Sequence, residues 1–274
     1  MGKETIKKVM KYFILIVIAI FILTPFVWIL LTALKSPEEV FSNPAVIIPK
    51  KLRWDNFLEV FKLEGFKRYV FNSVIITMGI TIGELITTIL AAFAFSHFDF
   101  KGKDLLFTLL IGTMMVPGEV LLIPNFVTLS KLKWINTYKA LIIPWCTSIS
   151  TIFFLRQYFL SIPKQLYYAA KVDNCSDFKY LIYIMIPITK PAIMTMAILK
   201  VINSWNSFMW PLIMTNSEEM RTLPIVLSKF SSEVGMDYHI LMAASLIIIA
   251  PMVILFILLS KQIISGISNS GIKG

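Results

Sequence analysis

The chain has 274 residues, of which 57% are hydrophobic and only 15% charged, and it carries a formal net charge of +10. Soluble domains run nearer half apolar and a quarter charged, so these numbers exclude a water-soluble globular protein and leave nucleic-acid binding without support. The positive balance instead suits loops beside anionic lipid head groups.

Uncharged runs long enough to cross about 30 Å of hydrocarbon at about 1.5 Å per residue predict an all-α, polytopic membrane protein. Six spans are expected, at 12–34, 70–95, 105–129, 140–158, 184–214 and 240–260, with residues 1–11 and 261–274 as cytoplasmic ends. Lys3, Lys7, Lys8 and Lys11 precede the first apolar run. That run is far longer than a secretory signal core and no small-x-small site follows it, so it reads as an uncleaved span. Residues 35–69 mix Pro37, Pro44 and Pro49 with charges and aromatics, as an ordered outer loop would.

The second span contains Gly79 and Gly83, a small-x-x-x-small pair that permits close helix approach, followed by Glu84. An ionised residue at mid-membrane costs about 2.5–3.5 kcal/mol, while each Leu, Ile, Val or Phe returns about 0.3–0.6. A span can therefore carry one charge, above all one facing protein. Pro117-Gly118-Glu119 predicts a break or a kink in the third span, with Glu119 toward a cavity or capping nearby backbone. His97 and His239 fall near opposite membrane faces and read as solvated loop or interface residues. Cys146 and Cys175 supply neither a disulfide framework nor a metal set. Lysine and arginine counts, thirteen inside against twelve outside, do not fix orientation; the basic cluster before the first span favours an inside N-terminus.

The loop 160–187 is polar and helical where a simple connection would be short. Pro163 suits a first helical turn. Leu166, Ala169, Ala170 and Asp173 then follow at i, i+3, i+4 and i+7, on one flat face flanked by Tyr167 and Tyr168. Asn174 tolerates positive φ and ends that helix. Ser176 caps the next one and Asp177 complements its positive end. The pattern predicts a helix–turn–helix knuckle docking on another protein. An amphipathic loop lying on lipid is the competing reading, weakened by the small apolar content of the alanine face. In the fifth span, interrupted by Lys190, Pro191 and Lys200, Asn203, Trp205, Asn206 and Trp210 combine amides with aromatic faces, as a sugar path would. Helix–helix hydrogen bonding and an interfacial aromatic belt explain the same residues.

The stretch "IPKQLYYAAKVDNCSDFKYLIYIMIPITKPAI" resembles the EAA loop of ATP-binding-cassette importer permeases: Tyr168-Ala169-Ala170, three residues, Asn174, nine residues, then Ile184-Met185-Ile186-Pro187. "NSVIIT", "LAAFAFSHFDFKGKDLLF", "MMVPGEVLLIPNF", "INTYKALIIP", "FFLRQYFLSIP", "NSWNSFMWPLI" and "KQIISGISNSGIKG" are similar to blocks of the carbohydrate branch of that family. Tyr168 and Asn174 stand where the family has Glu and Gly. The resemblance implies a coupling helix in the prokaryotic cell membrane. Its implied partners are a second homologous permease, two ATP-binding subunits that use ATP and Mg, and an extracytoplasmic solute-binding protein. It also implies a sugar or oligosaccharide as substrate, with glycerol phosphate as the alternative. No G-x-x-x-x-G-K-[ST] occurs, since Gly102-Lys103 is followed by Asp104, so ATP is not expected to bind through such a loop; with no H-E-x-x-H and no G-x-S-x-G either, the chain is expected to bind no cofactor or metal and to be no enzyme. An ion-coupled carrier would need paired buried carboxylates and inverted repeats; only Glu84 and Glu119 offer themselves, and no repeat is evident.

Overall fold

The computed structural model describes residues 3–230 and 237–268; the last six residues of the tail lie outside them. The regular structure described is helical throughout. In chain order the α-helices are α1 (Lys3–Ala33), α2 (Pro37–Val40), α3 (Asp55–Lys62), α4 (Phe66–His97), α5 (Lys103–Thr113), α6 (Leu122–Lys131), α7 (Tyr138–Ile142) and α8 (Ile149–Leu160). They continue as α9 (Lys164–Val172), α10 (Asp177–Tyr180), α11 (Ile186–Trp205), α12 (Met209–Met214), α13 (Val226–Lys229) and α14 (Tyr238–Ser268).

Among the described residues, five helical runs are long and apolar enough to cross a membrane: Glu4–Ala33, Phe66–His97, Tyr138–Leu160, Asp177–Trp205 and Tyr238–Lys261. The expected third span is divided at the Pro117-Gly118-Glu119 interruption. Proline at 117 lacks an N–H and biases Val116 away from the helical region. The chain therefore passes through turns, with the Val120, Leu121 and Leu122 amides bonding the carbonyls of Pro117, Gly118 and Glu119 at 3.2 Å, before α6 resumes. The fifth span is also displaced from 184–214. Helix starts at Asp177 and stops at Trp205, where the Asn206 amide closes on the Ile202 and Ser204 carbonyls, and α12 is separate. Between α10 and α11, Leu181–Met185 forms a π turn. Its wider loop accommodates Pro187, which cannot donate into an α ladder.

The chain forms two compact units, 1–67 with 225–251 and 68–224 with 252–274. In the first, buried Asn56 donates to the carbonyls of Ala33 (2.8 Å) and Lys35 (2.9 Å), closing orphan acceptors at the end of α1. Ser36 and Glu39 form a capping box on α2. His239 is 6% exposed, so of the two positions expected, solvated loop or interface, the solvated one is excluded.

In the second unit the two glycines of α4 sit against the run beginning with α7. A Cβ on Gly79 would meet the Ile142 Cδ1 at 2.9 Å, and one on Gly83 would collide with the Cys146 Sγ. Two apolar clusters order this unit. One gathers Ala92, Phe93, Leu155, Phe159, Leu181 and Met185; the other gathers Ile76, Ile80, Leu129, Leu141, Trp210 and Met214.

Candidate functional site

The paired-helix projection is built from its turn outward. At the end of α9, Asn174 adopts φ +53°, the left-handed conformation that asparagine tolerates. The Asp173 amide bonds the Ala169 carbonyl (3.2 Å), Asn174 bonds Lys171 (3.0 Å) and Cys175 bonds Ala170 (2.9 Å), so the final carbonyls are satisfied. Ser176 Oγ accepts from the Lys179 amide at 3.3 Å and starts α10. Asp177 ties the two helices together. It accepts from the Tyr167 hydroxyl at 2.9 Å and pairs with Lys171 Nζ at 2.8 Å. The hydrogen bond to Asp177 raises the Lys171 pKa, and burial followed by the same carboxylate raises that of Tyr167.

The alanine pair does not share one face. Ala170 is buried with Tyr180 and Leu181 in the first cluster, while Ala169 is exposed. The exposed surface includes Leu166, Tyr168 (62% exposed), Ala169, Val172 (82%), Asp173 and Phe178 (61%), among polar Lys164, Gln165, Lys171, Asn174, Ser176 and Lys179. Val172 was legible as the i+4 neighbour of Tyr168, though the sequence pattern alone placed weight on the alanines. Beneath the knuckle, His97 meets the Tyr167 ring edge-on at 4.1 Å and stacks on Phe93 at 4.9 Å. It is a packed residue at the end of α4, not a solvated loop residue.

A second feature lies in the same unit, a partly open cavity of about 210 Å³. Asn203, Trp205 and Trp210 of the predicted path line it, joined by Trp145, Lys200 and Thr77. Asn206 and Glu119 do not: Asn206 is an exposed cap on α11, and Glu119 is exposed in the turn between α5 and α6. Trp210 donates its Nε1 hydrogen to the Ala140 carbonyl at 3.1 Å and meets Trp145 edge-on at 5.3 Å. Lys200 forms an ion pair with Glu84, whose other oxygen accepts from Thr151 at 2.8 Å. That pair was not anticipated. The signal was present in the cost of a lone acid and a lone base placed in separate spans, since buried charges are matched.

Residues 79–269 match the family described as the binding-protein-dependent transport system inner membrane component. The chain is 36% identical over 260 residues to the arabinooligosaccharides transport system permease protein AraQ of Halalkalibacterium halodurans, covering 94% of this chain and 93% of that one. It is 32% identical over 280 residues, covering all of both chains, to the trehalose/maltose transport system permease protein MalG of Thermococcus litoralis. Its fold is similar, with a TM-score of 0.85 at 21% identity, to a chain of a bacterial ABC transporter involved in import of the acidic polysaccharide alginate; the match covers 95% of this chain and 98% of that one.

Proposed function

Since the chain belongs to the binding-protein-dependent transport system inner membrane component family, we propose that it forms one half of a pathway carrying a sugar or oligosaccharide into a prokaryotic cell. It is a permease, the non-catalytic membrane component of an ABC importer. The substrate class draws on the sugars named for its relatives and on the Trp and Asn residues around the cavity.

The other half is a second homologous permease. Two cytoplasmic subunits hydrolyse ATP with Mg, and an extracytoplasmic binding protein delivers the ligand. Both termini are cytoplasmic, with residues 1–11 and 261–274 flanking a permease domain at 12–260. The α5 and α6 helices together make a broken sixth span. ATP closes the ATPase dimer, the knuckle moves with it, and the spans open outward to receive ligand.

One observation carries the coupling role. The projection is anchored from within by Ala170, Tyr167, Asp177 and the Asn174 turn, while Leu166, Tyr168, Ala169, Val172, Asp173 and Phe178 stand uncovered. An apolar surface on a rigid, polar-rimmed projection fits a protein groove. Replacing Ala169 with Arg in the assembled transporter is expected to abolish uptake and release the ATPase subunits on purification, while insertion is unchanged. Full uptake with the ATPase retained would refute the coupling role.

A further inference from the structure

His97 ends α4 and touches both helices of the knuckle. Its ring stacks on Phe93 at 4.9 Å, meets Tyr167 of α9 edge-on at 4.1 Å and lies 5.4 Å from Tyr180 of α10, with Phe98 at 5.8 Å. The ring is half-buried, and its Nε2 is buried without a hydrogen-bond partner. Among the described residues it is the one side-chain nitrogen so placed; the other unpartnered buried atoms are oxygens of Thr, Ser and Glu84, and Lys200 neutralises the last. A hydroxyl stays neutral at every physiological pH, so its cost is constant. An imidazole changes charge between about pH 5 and 8, and of these five rings only His97 titrates there.

We propose that His97 is a positioning residue that makes coupling sensitive to pH on the ATPase side: its neutral ring holds the knuckle to α4, and its protonated ring releases it. The inference rests on the coupling role proposed above. When neutral, either tautomer leaves Nε2 short of one uncharged hydrogen bond. When protonated, it leaves a charged N–H without an acceptor, which costs more, and cation–π attraction to the neighbouring rings offsets only part of that. The charged groups facing the ring are Lys171 of α9, Asp177 of α10, Asp99 after α4 and Lys103 of α5. Both acids already have cations, Asp177 with Lys171 at 2.8 Å and Asp99 with Lys103 at 3.5 Å, so neither stands free for an imidazolium. Falling pH therefore favours the state with the ring in water, which binds the extra proton. For a released histidine of ordinary pKa about 6.5, about three rings are charged for each neutral one at pH 6. The ratio of released to packed knuckle then rises about fourfold from pH 8 to pH 6 and about tenfold by pH 5.5.

The test uses the complete complex in proteoliposomes with the ATPase face outward, binding protein and saccharide being sealed inside, so that buffer sets the relevant pH. Hydrogen–deuterium exchange across residues 177–185, corrected for the intrinsic pH dependence of amide exchange, reads the released fraction. ATP hydrolysed per saccharide delivered reads coupling. From pH 8 to pH 6 the wild type is expected to gain about fourfold in corrected exchange and to consume more ATP per saccharide. His97→Phe keeps the ring stack and His97→Gln keeps a polar group, and neither titrates, so the corrected exchange ratio of each should stay near one. The readout is the ratio within each protein, so a variant of lowered activity still reports, and titrations of the other subunits are common to all three. A histidine that only fills space gives the same ratio in wild type and variants, and that result overturns the proposal. A wild-type ratio near one overturns it even if neither variant folds. Full uptake by Ala169→Arg overturns the coupling role instead, and pH control of coupling with it; the two failures are distinguishable because the exchange ratio does not depend on transport.

Discussion

Glu84 and Lys200 show how two residues can be legible singly and not as a pair. Each raised a question in the sequence, because one charge is tolerated in an apolar span only with a reason. Their sequence separation concealed the answer: α4 and α11 bring the two charges together, with Thr151 of α8 completing the carboxylate. Removing one member leaves the other uncompensated in a low-dielectric setting. Lys200→Met is therefore expected to destabilise the second unit by about 3–5 kcal/mol, lowering the denaturation midpoint of the purified complex. Adding Glu84→Gln should recover most of the loss, because the unpaired charge disappears. A single variant as stable as the double would show that the pair is solvated.

The helix elements were legible where polarity changed sharply and misplaced where it did not. Asn174 and Ser176 announced a turn and a cap by residue type, and both hold those positions. Asn206 and Ser207 sat between apolar residues, so hydropathy ran α11 and α12 into one expected span. Pro117-Gly118-Glu119 allowed a break or a kink, and the chain takes the break, with α5 ending at Thr113 and α6 starting at Leu122. The turn at 174 permits a direct check. Asn174→Gly should retain stability and uptake, whereas Asn174→Val, with a β-branched side chain at φ +53°, should cost about 1–2 kcal/mol and reduce coupling. The two alanines of α9 should separate in the same manner. Ala170→Leu overpacks the cluster around Tyr180 and is expected to cost about 1–3 kcal/mol. Ala169→Leu, on the open side, should leave the thermal midpoint nearly unmoved while altering ATPase affinity. Equal loss of stability from both would place Ala169 inside as well.

For the whole molecule, composition pointed to a membrane setting and the motif blocks resembled the family that the comparisons show, but neither revealed how the projection joins the rest of its unit. Tyr180, Leu181 and Met185 are each at most 2% exposed, and they share a cluster with Leu155 and Phe159 of α8 and with Phe93 of α4. The π turn lies within that clamp. Leu181 and Met185 of that turn pack against α4 and α8, so under the coupling role proposed above a displacement of the knuckle passes to these helices together. Loosening the clamp with Leu155→Ala should cause slippage, with more nucleotide consumed per sugar delivered. Lever and engine would remain intact, and only the linkage between them would have acquired play.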